Sequence, residues 1–244
     1  MTSTRDQVLR EMGLGPVWKL RAASAAQPLE EVAAPLPPAE APALETVPAA
    51  GVATVHGAMN WDELAAAVAA CRQCPLCAAR RQAVLGVGDV SADWLFVGEG
   101  PGAEEDQRGE PFVGQAGKLL DNMLAAIGLR RGEDVYIANA VKCRPPENRT
   151  PAAEETAACR PYLQRQIELM QPKLIVALGR PAAQTLLGAE VKIAAARGKL
   201  HDYRGIPLIV TYHPAYLLRT LPDKARAWED LCFMKRTMAM QKGG

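Results

Sequence analysis

The sequence predicts an α/β fold, a parallel sheet with helices on both faces, on three observations. Four short apolar runs, at residues 94–97, 135–138, 174–178 and 208–211, show no polar alternation, as expected of strands covered on both sides. Segments of helical periodicity stand between them, giving a β-α-β-α order. The stretches richest in Gly, Asn and His follow the runs directly, at the strand ends where ligands bind in such sheets.

Taken in chain order, residues 1–21 contain a short amphipathic stretch in which Val8, Leu9, Met12 and Leu14 share a helical face. This is an N-terminal segment long enough to engage a protein partner. Residues 22–60 are about half Ala and Pro and lack the large apolar groups that offset ordering entropy, so they read as a disordered linker with polyproline II character. The domain is expected over 61–244. Within it, the run at 94–97 is the first strand. A helix at 118–127 follows, with Leu119, Leu120, Met123, Leu124 and Ile127 on one face. The run at 135–138 leads to a helix at 152–170, in which Pro161 marks a break. Residues 174–178 precede a helix at 180–187 that opens with Pro181 near its first turn. The strand at 208–211 is followed by a last helix at 228–240.

Composition narrows the function classes. Formal net charge is +1 over 244 residues, with no apolar run long enough for a membrane span and no apolar core in the first residues for a secretory signal, so a cytoplasmic location is expected. Six cysteines in such a compartment point to ligands or buried thiols rather than disulfides. Arginines gather at 80–81, 130–131 and 144–149; scattered arginines are usually solvated surface, and phosphate contact requires them on one face.

Four motifs carry chemistry. Val-Gly-Glu-Gly-Pro-Gly at 97–102 ends the first strand; its small residues let backbone approach a ligand, while the spacing of a dinucleotide-binding fingerprint and a phosphate-loop lysine are both lacking. Downstream, Phe112 lies in a glycine-bordered loop and offers a face for stacking a base, against the plainer reading of a core plug. Asn139 stands at the end of the second strand, where its amide donor and acceptor suit a pyrimidine edge, and Arg144, Asn148 and Arg149 follow on a proline-stiffened loop suited to phosphate contact. His213, one of three histidines, follows the last strand and precedes Leu217, Leu218 and Arg219, a leucine pair beside a cation that suits wedging into stacked bases. The cysteines complete the set. Cys71 and Cys74 form a Cys-x-x-Cys pair, Cys77 extends it, and Cys143 and Cys159 follow far downstream, a spacing that leans from zinc toward iron–sulfur but leaves four ligands to be chosen from five. Cys232, in an apolar helical context, reads as a buried thiol.

These motifs, Gly-Glu-Gly-Pro-Gly, Pro-Phe-Val-Gly-Gln-Ala-Gly, Asn-Ala-Val-Lys-Cys-Arg-Pro-Pro and His-Pro-Ala-Tyr-Leu-Leu-Arg, resemble those of the family 4 uracil-DNA glycosylases over about residues 61–238. The resemblance implies a three-layer α/β/α sandwich around a four-stranded parallel sheet. It implies a structural 4Fe–4S cluster on Cys71, Cys74, Cys143 and Cys159, which leaves Cys77 outside the ligand set. The implied reaction is hydrolysis of the N-glycosidic bond of deoxyuridine in single- or double-stranded DNA, leaving an abasic site, by a monomer. Phe112 would stack on the extruded uracil, Asn139 would read its edge, and His213 would stabilise the developing anion at O2. Backbone at Gly98 and Gly100 would position base and water, and residues 217–219 would fill the vacated stack. The chain departs from the best-known uracil-DNA glycosylases at Gly100, where those carry an aspartate, which makes Glu99 the candidate water-activating group. It departs again at Gly102, where those carry a tyrosine that excludes thymine, a task the resemblance gives to Glu105. No histidine follows Asn139 in the position a related, covalently trapping family uses. A catalytically feeble uracil or abasic-site sensor, an iron–sulfur electron carrier and a zinc protein are the rival readings; excision kinetics, reversible cluster redox and colour separate them.

Overall fold

The computed structural model describes residues 59–242; the expected N-terminal helix in 1–21 and nearly all of the linker lie outside these. The description opens on a helix, α1 (Trp61–Ala70), whose start is set by a reciprocal cap: the Asn60 side chain accepts from the Glu63 amide, and the Glu63 carboxylate accepts from the Asn60 amide. A short α2 (Leu76–Ala79) follows, then strands β1 (Val87–Gly88) and β2 (Trp94–Gly98), helices α3 (Ala103–Arg108) and α4 (Gln115–Ala126), and β3 (Val135–Asn139). A 3-10 turn at Pro146–Asn148 leads to α5 (Ala153–Met170), β4 (Leu174–Leu178), α6 (Arg180–Leu187), α7 (Ile193–Ala196), β5 (Leu200–Tyr203), β6 (Ile206–Thr211), α8 (Pro214–Arg219) and α9 (Asp223–Lys242).

The sheet order is β1-β3-β2-β4-β6-β5. Its centre is the expected set of four parallel strands, β3, β2, β4 and β6, each fully buried over its length or its last four residues. Two antiparallel edge strands, β1 and β5, extend it to six. Both escaped the apolar-run reading because one has two residues and the other alternates exposed and half-buried positions. The helix expected at 152–170 runs unbroken through Pro161. Tyr162, Leu163, Gln166 and Ile167 are buried just beyond it, and this packing outweighs the one backbone bond the proline removes.

Alternate residues of the central strands face opposite layers. Trp94, Phe96, Val135, Ile137 and Val176 pack with Leu120, Met123 and Leu124 of α4 and Leu231, Met234 and Met238 of α9. Leu95, Val97, Ala138, Ile175 and Ala177 pack with Leu163, Ile167 and Met170 of α5 and with Ala182, Ala183 and Leu186 of α6. A smaller cluster joins α1 and α2 to Val141, Cys143 and Cys159. The result is a three-layer α/β/α sandwich, and the carboxyl ends of its four parallel strands open on one side.

Candidate active site

Those four strand ends border a cleft of about 950 Å³. Register places Gly98 beside Asn139 at the ends of neighbouring strands β2 and β3. A methyl group on Gly98 would lie 2.4 Å from Asn139 Oδ1 and 2.5 Å from the Phe112 ring, so only glycine lets these two side chains meet there. Asn139 is 2 % exposed, and its Oδ1 is a buried acceptor with no hydrogen-bond partner among the described residues. Leaving such an oxygen unpaired costs about 1–3 kcal/mol, a cost a bound donor would remove. The Asn139 backbone is fixed from behind, because fully buried Lys142 donates from Nζ to its carbonyl (2.9 Å) and to Gln166 Oε1 (2.6 Å). Burial pushes this lysine down to about 8.

The Phe112 ring stacks on His213, with centroids 5.4 Å apart and planes 30° from parallel. Its backbone has φ 55°, a left-handed conformation rare for a bulky residue and worth about 1–3 kcal/mol of strain. Four contacts hold it. Arg131 donates from Nη1 to the Pro111 carbonyl and from Nη2 to the Phe112 carbonyl, both at 2.8 Å. The Glu105 carboxylate accepts from the amides of Val113 (2.9 Å) and Gly114 (3.1 Å). Its other oxygen accepts from the Gly102 amide at 3.1 Å. Gly117 lets α4 press against the loop; a methyl there would sit 1.7 Å from the Phe112 carbonyl oxygen.

His213 caps α8: its Nδ1 accepts from the Ala215 amide at 3.1 Å. That bond leaves the ring proton on Nε2, so the neutral imidazole is a donor on its other side. Burial, reinforced by the Arg219 cation and opposed by Glu105, pushes His213 down to about 4, so it is neutral at neutral pH. Its close seat on β4 depends on Gly179, at φ 87°, where a methyl would lie 2.9 Å from His213 Cβ.

Glu99 lines the same cleft; burial raises its carboxyl above the ordinary range, against a hydrogen bond with Thr150 and the charge of Arg180. Gly100 has no space for a larger residue, since a methyl would meet the buried Val141 side chain at 2.8 Å. A side chain at position 100 would require that valine to shift.

The expected DNA-facing residues divide. Leu217 is 1 % exposed and belongs to the core, while Leu218 is 41 % exposed, because neighbours on a helix point about 100° apart. Arg219 lines the cleft and is exposed. Arg144 donates to Asn148 at 2.8 Å. Arg149 is engaged by Glu155 through two bonds of 2.8 and 2.7 Å, which neutralise its charge and tie the 144–149 loop to α5. Sequence reasoning missed Arg180 and Lys192, two further cations that line the cleft, and the parts played by Arg131 and Lys142. Their positions follow from tertiary contacts with no local motif.

Away from the cleft, Cys71, Cys74, Cys143 and Cys159 border one small cavity, which Cys77 does not line. The donor set is four thiols: Cys71 and Cys74 from the turn between α1 and α2, Cys143 from the loop after β3, and Cys159 from α5. Arg80 donates to Cys143 Sγ at 2.9 Å while holding the carbonyls of Ala69 and Cys71, and the Lys142 amide donates to Cys159 Sγ at 3.2 Å. Burial pushes the Cys159 thiol up to about 12. Among the described residues no group of three or more Cys, His, Asp or Glu is spaced to hold a metal ion. Four thiols bordering one space, two of them met by N–H donors, are the donor set a thiolate-bound metal group would need. Cys232 is half-buried on α9, remote in sequence from this set.

Comparison with known proteins shows which family the chain resembles. A model of the uracil DNA glycosylase superfamily matches residues 85–232. A type-4 uracil-DNA glycosylase of Thermotoga maritima is 49 % identical over 158 residues, 64 % of this chain and 82 % of that protein. Type-4 enzymes of Archaeoglobus fulgidus and Pyrobaculum aerophilum are 48 % and 45 % identical, covering 65 % and 71 % of this chain and 83 % and 92 % of theirs.

Proposed function

The chain belongs to the uracil DNA glycosylase superfamily, with type-4 enzymes as its relatives, and we propose that its cleft holds an extruded uracil between Phe112, Asn139 and His213. Its activity is hydrolysis of the N-glycosidic bond of deoxyuridine in DNA, which releases uracil for base excision repair.

The orphaned Asn139 oxygen carries the reading. An acceptor there takes the N3–H of uracil; cytosine presents a bare N3 at that position and leaves both acceptors unpaired. In this reading Phe112 supplies an apolar face, and Glu105, held against the Gly102 amide, stands where thymine's methyl group would lie. As the bond breaks, negative charge gathers on the base and the sugar becomes oxocarbenium-like. Neutral His213 donates from Nε2 to uracil O2, a preorganised donor of the kind whose removal costs about 10²–10³ in rate. Arg219, close enough to depress the His213 pKa, also favours that anion. Glu99, with its raised pKa, orients the attacking water; a dissociative transition state asks little more of it. Leu218 and Arg219 fill the vacated stack, Arg144, Arg180 and Lys192 meet phosphates, and Arg149 braces the loop through Glu155.

Cys71, Cys74, Cys143 and Cys159 hold a 4Fe–4S cluster in this reading, supported by their common cavity and the N–H donors on two of the sulfurs. Held by those four thiols, the group would serve as a structural staple between the α1 end, the loop after β3 and α5, and would supply no step of the hydrolysis. In this reading the enzyme acts as a cytoplasmic monomer on single- or double-stranded DNA, and residues 1–21 are the segment that would engage a protein partner. Among the described residues no helix is long and apolar enough to cross a membrane.

The test is base release by brown, anaerobically purified protein from oligonucleotides carrying one deoxyuridine, deoxycytidine or thymidine. Alkali-dependent cleavage at deoxyuridine alone is expected. Absence of cleavage by cluster-loaded protein, or equal release of cytosine, overturns the reading.

A further inference from the structure

We propose that Arg131 is a positioning residue for the base-stacking ring: it fixes the Phe112 backbone from the side opposite Glu105. The proposal rests on the reading of Phe112 as the uracil platform.

In sequence, residues 130 and 131 read only as a basic pair, yet the two arginines behave differently. Arg130 forms an exposed pair with Glu133 at 2.8 Å. Arg131 is turned inward, its side chain 22 % exposed, and every donor group of its guanidinium is engaged. Nε and Nη2 meet Asp121 Oδ1 on α4 at 3.0 and 2.9 Å. Nη1 and Nη2 meet the carbonyls of Pro111 and Phe112 at 2.8 Å each. A planar fork that bridges a carboxylate on a helix to two successive carbonyls is geometry lysine cannot reproduce.

The loop it holds needs holding. Phe112 is in a left-handed backbone conformation, which the chain leaves unless surrounding contacts over-determine it. Those contacts come in two opposed sets. Arg131 takes the carbonyls of residues 111 and 112, and Glu105 takes the amides of residues 113 and 114. The peptide after Phe112 is thus held at its carbonyl and its amide, the peptide before it at its carbonyl, and the ring is delivered against His213 before any base arrives. Glu105 lies on α3 and Arg131, in the turn before β3, is anchored to α4 through Asp121, so the clamp also ties the loop to two helices.

The experiment is a double-mutant cycle on the cluster-loaded enzyme with Arg131→Met, Phe112→Ala and the combination. Single-turnover excision, competitive inhibition by free uracil, and cluster absorbance are measured for each. Arg131→Met is expected to slow excision by about 10–100-fold and weaken inhibition by uracil, with cluster absorbance unchanged. In the Phe112→Ala background, where no ring remains to be placed, the same substitution is expected to do almost nothing further. Losses that multiply, or an Arg131→Met enzyme at the parent rate, overturn the clamp while leaving Phe112 as platform. A Phe112→Ala enzyme at the parent rate overturns the platform reading itself, and the clamp with it. If Arg131→Met yields no folded protein, Arg131→Lys takes its place in the cycle, with the same expected non-additivity and the same contradicting result.

Discussion

His213 titrates far from where a histidine ordinarily does, and this can be measured as stability. Its pKa is about 4 in the folded chain against 6.5 in an unfolded one. Between those values the unfolded state binds a proton that the folded state refuses. The stabilisation is therefore complete above about pH 6.5 and is lost as pH falls toward 4, at about 1.4 kcal/mol per pH unit. At pH 5 about 2 kcal/mol should be gone, and about 3 kcal/mol by pH 4. The physical cause is the buried seat beside Phe112, with Arg219 opposing protonation, Glu105 favouring it, and Nδ1 committed to the Ala215 amide. The assay is urea unfolding of cluster-loaded parent and His213→Gln at pH 7 and pH 5. Other titrating groups are common to both proteins and cancel. The parent should lose about 2 kcal/mol more than the variant, and kcat/KM of the parent should show no inflection near 6.5. Parallel losses, or an acid limb near 6.5 that vanishes in the variant, would refute the neutral-imidazole argument.

The two leucines of α8 separate core from wedge. Leu217→Ala should cost about 2–5 kcal/mol of stability, whereas Leu218→Ala should cost under about 0.5 kcal/mol and slow excision from duplex more than from single strands. Thermal melts and strand-specific rates check both. Gly98→Ala forces a methyl into Asn139 and Phe112; a destabilisation of about 1–3 kcal/mol is expected, with excision down at least about tenfold and the cluster retained, read by denaturation, kinetics and absorbance. Cys143→Ala should abolish the colour and most soluble folded protein, since ligation and folding are coupled; full yield and colour would remove Cys143 from the ligand set.

The four central strands were legible because burial on both faces leaves an uninterrupted apolar run, and Leu174–Leu178 matches its run end to end. Edge strands carry no such mark: Leu200–Tyr203 is half solvent-facing, and Val87–Gly88 is too short to have a pattern. Placement in the cleft was legible where a polar residue directly follows a strand run, as with Asn139 and His213. It was not legible where the work is done by long-range contact. Nothing near Arg131 in sequence announces carbonyls 19 and 20 residues away, and nothing in Val-Lys-Cys says that the lysine is buried beneath Asn139. Helical phase, which sends Leu217 inward and Leu218 outward, likewise depends on where α8 meets the core. Glu105 was expected as a selectivity residue at the cleft; its carboxylate is occupied by three backbone amides, a role visible only once the loop is folded.

The central claim is that Asn139 and His213 act on uracil after it has left the helix. Single-turnover excision from a deoxyuridine duplex, by cluster-loaded parent, Asn139→Ala and His213→Ala with enzyme in excess, tests it most directly, with DNA affinity measured alongside by anisotropy. The account predicts that both variants bind DNA and keep the cluster absorbance, while the His213→Ala chemical step slows by about 10²–10³ and that of Asn139→Ala falls with it. Excision by either variant at the parent rate would contradict it.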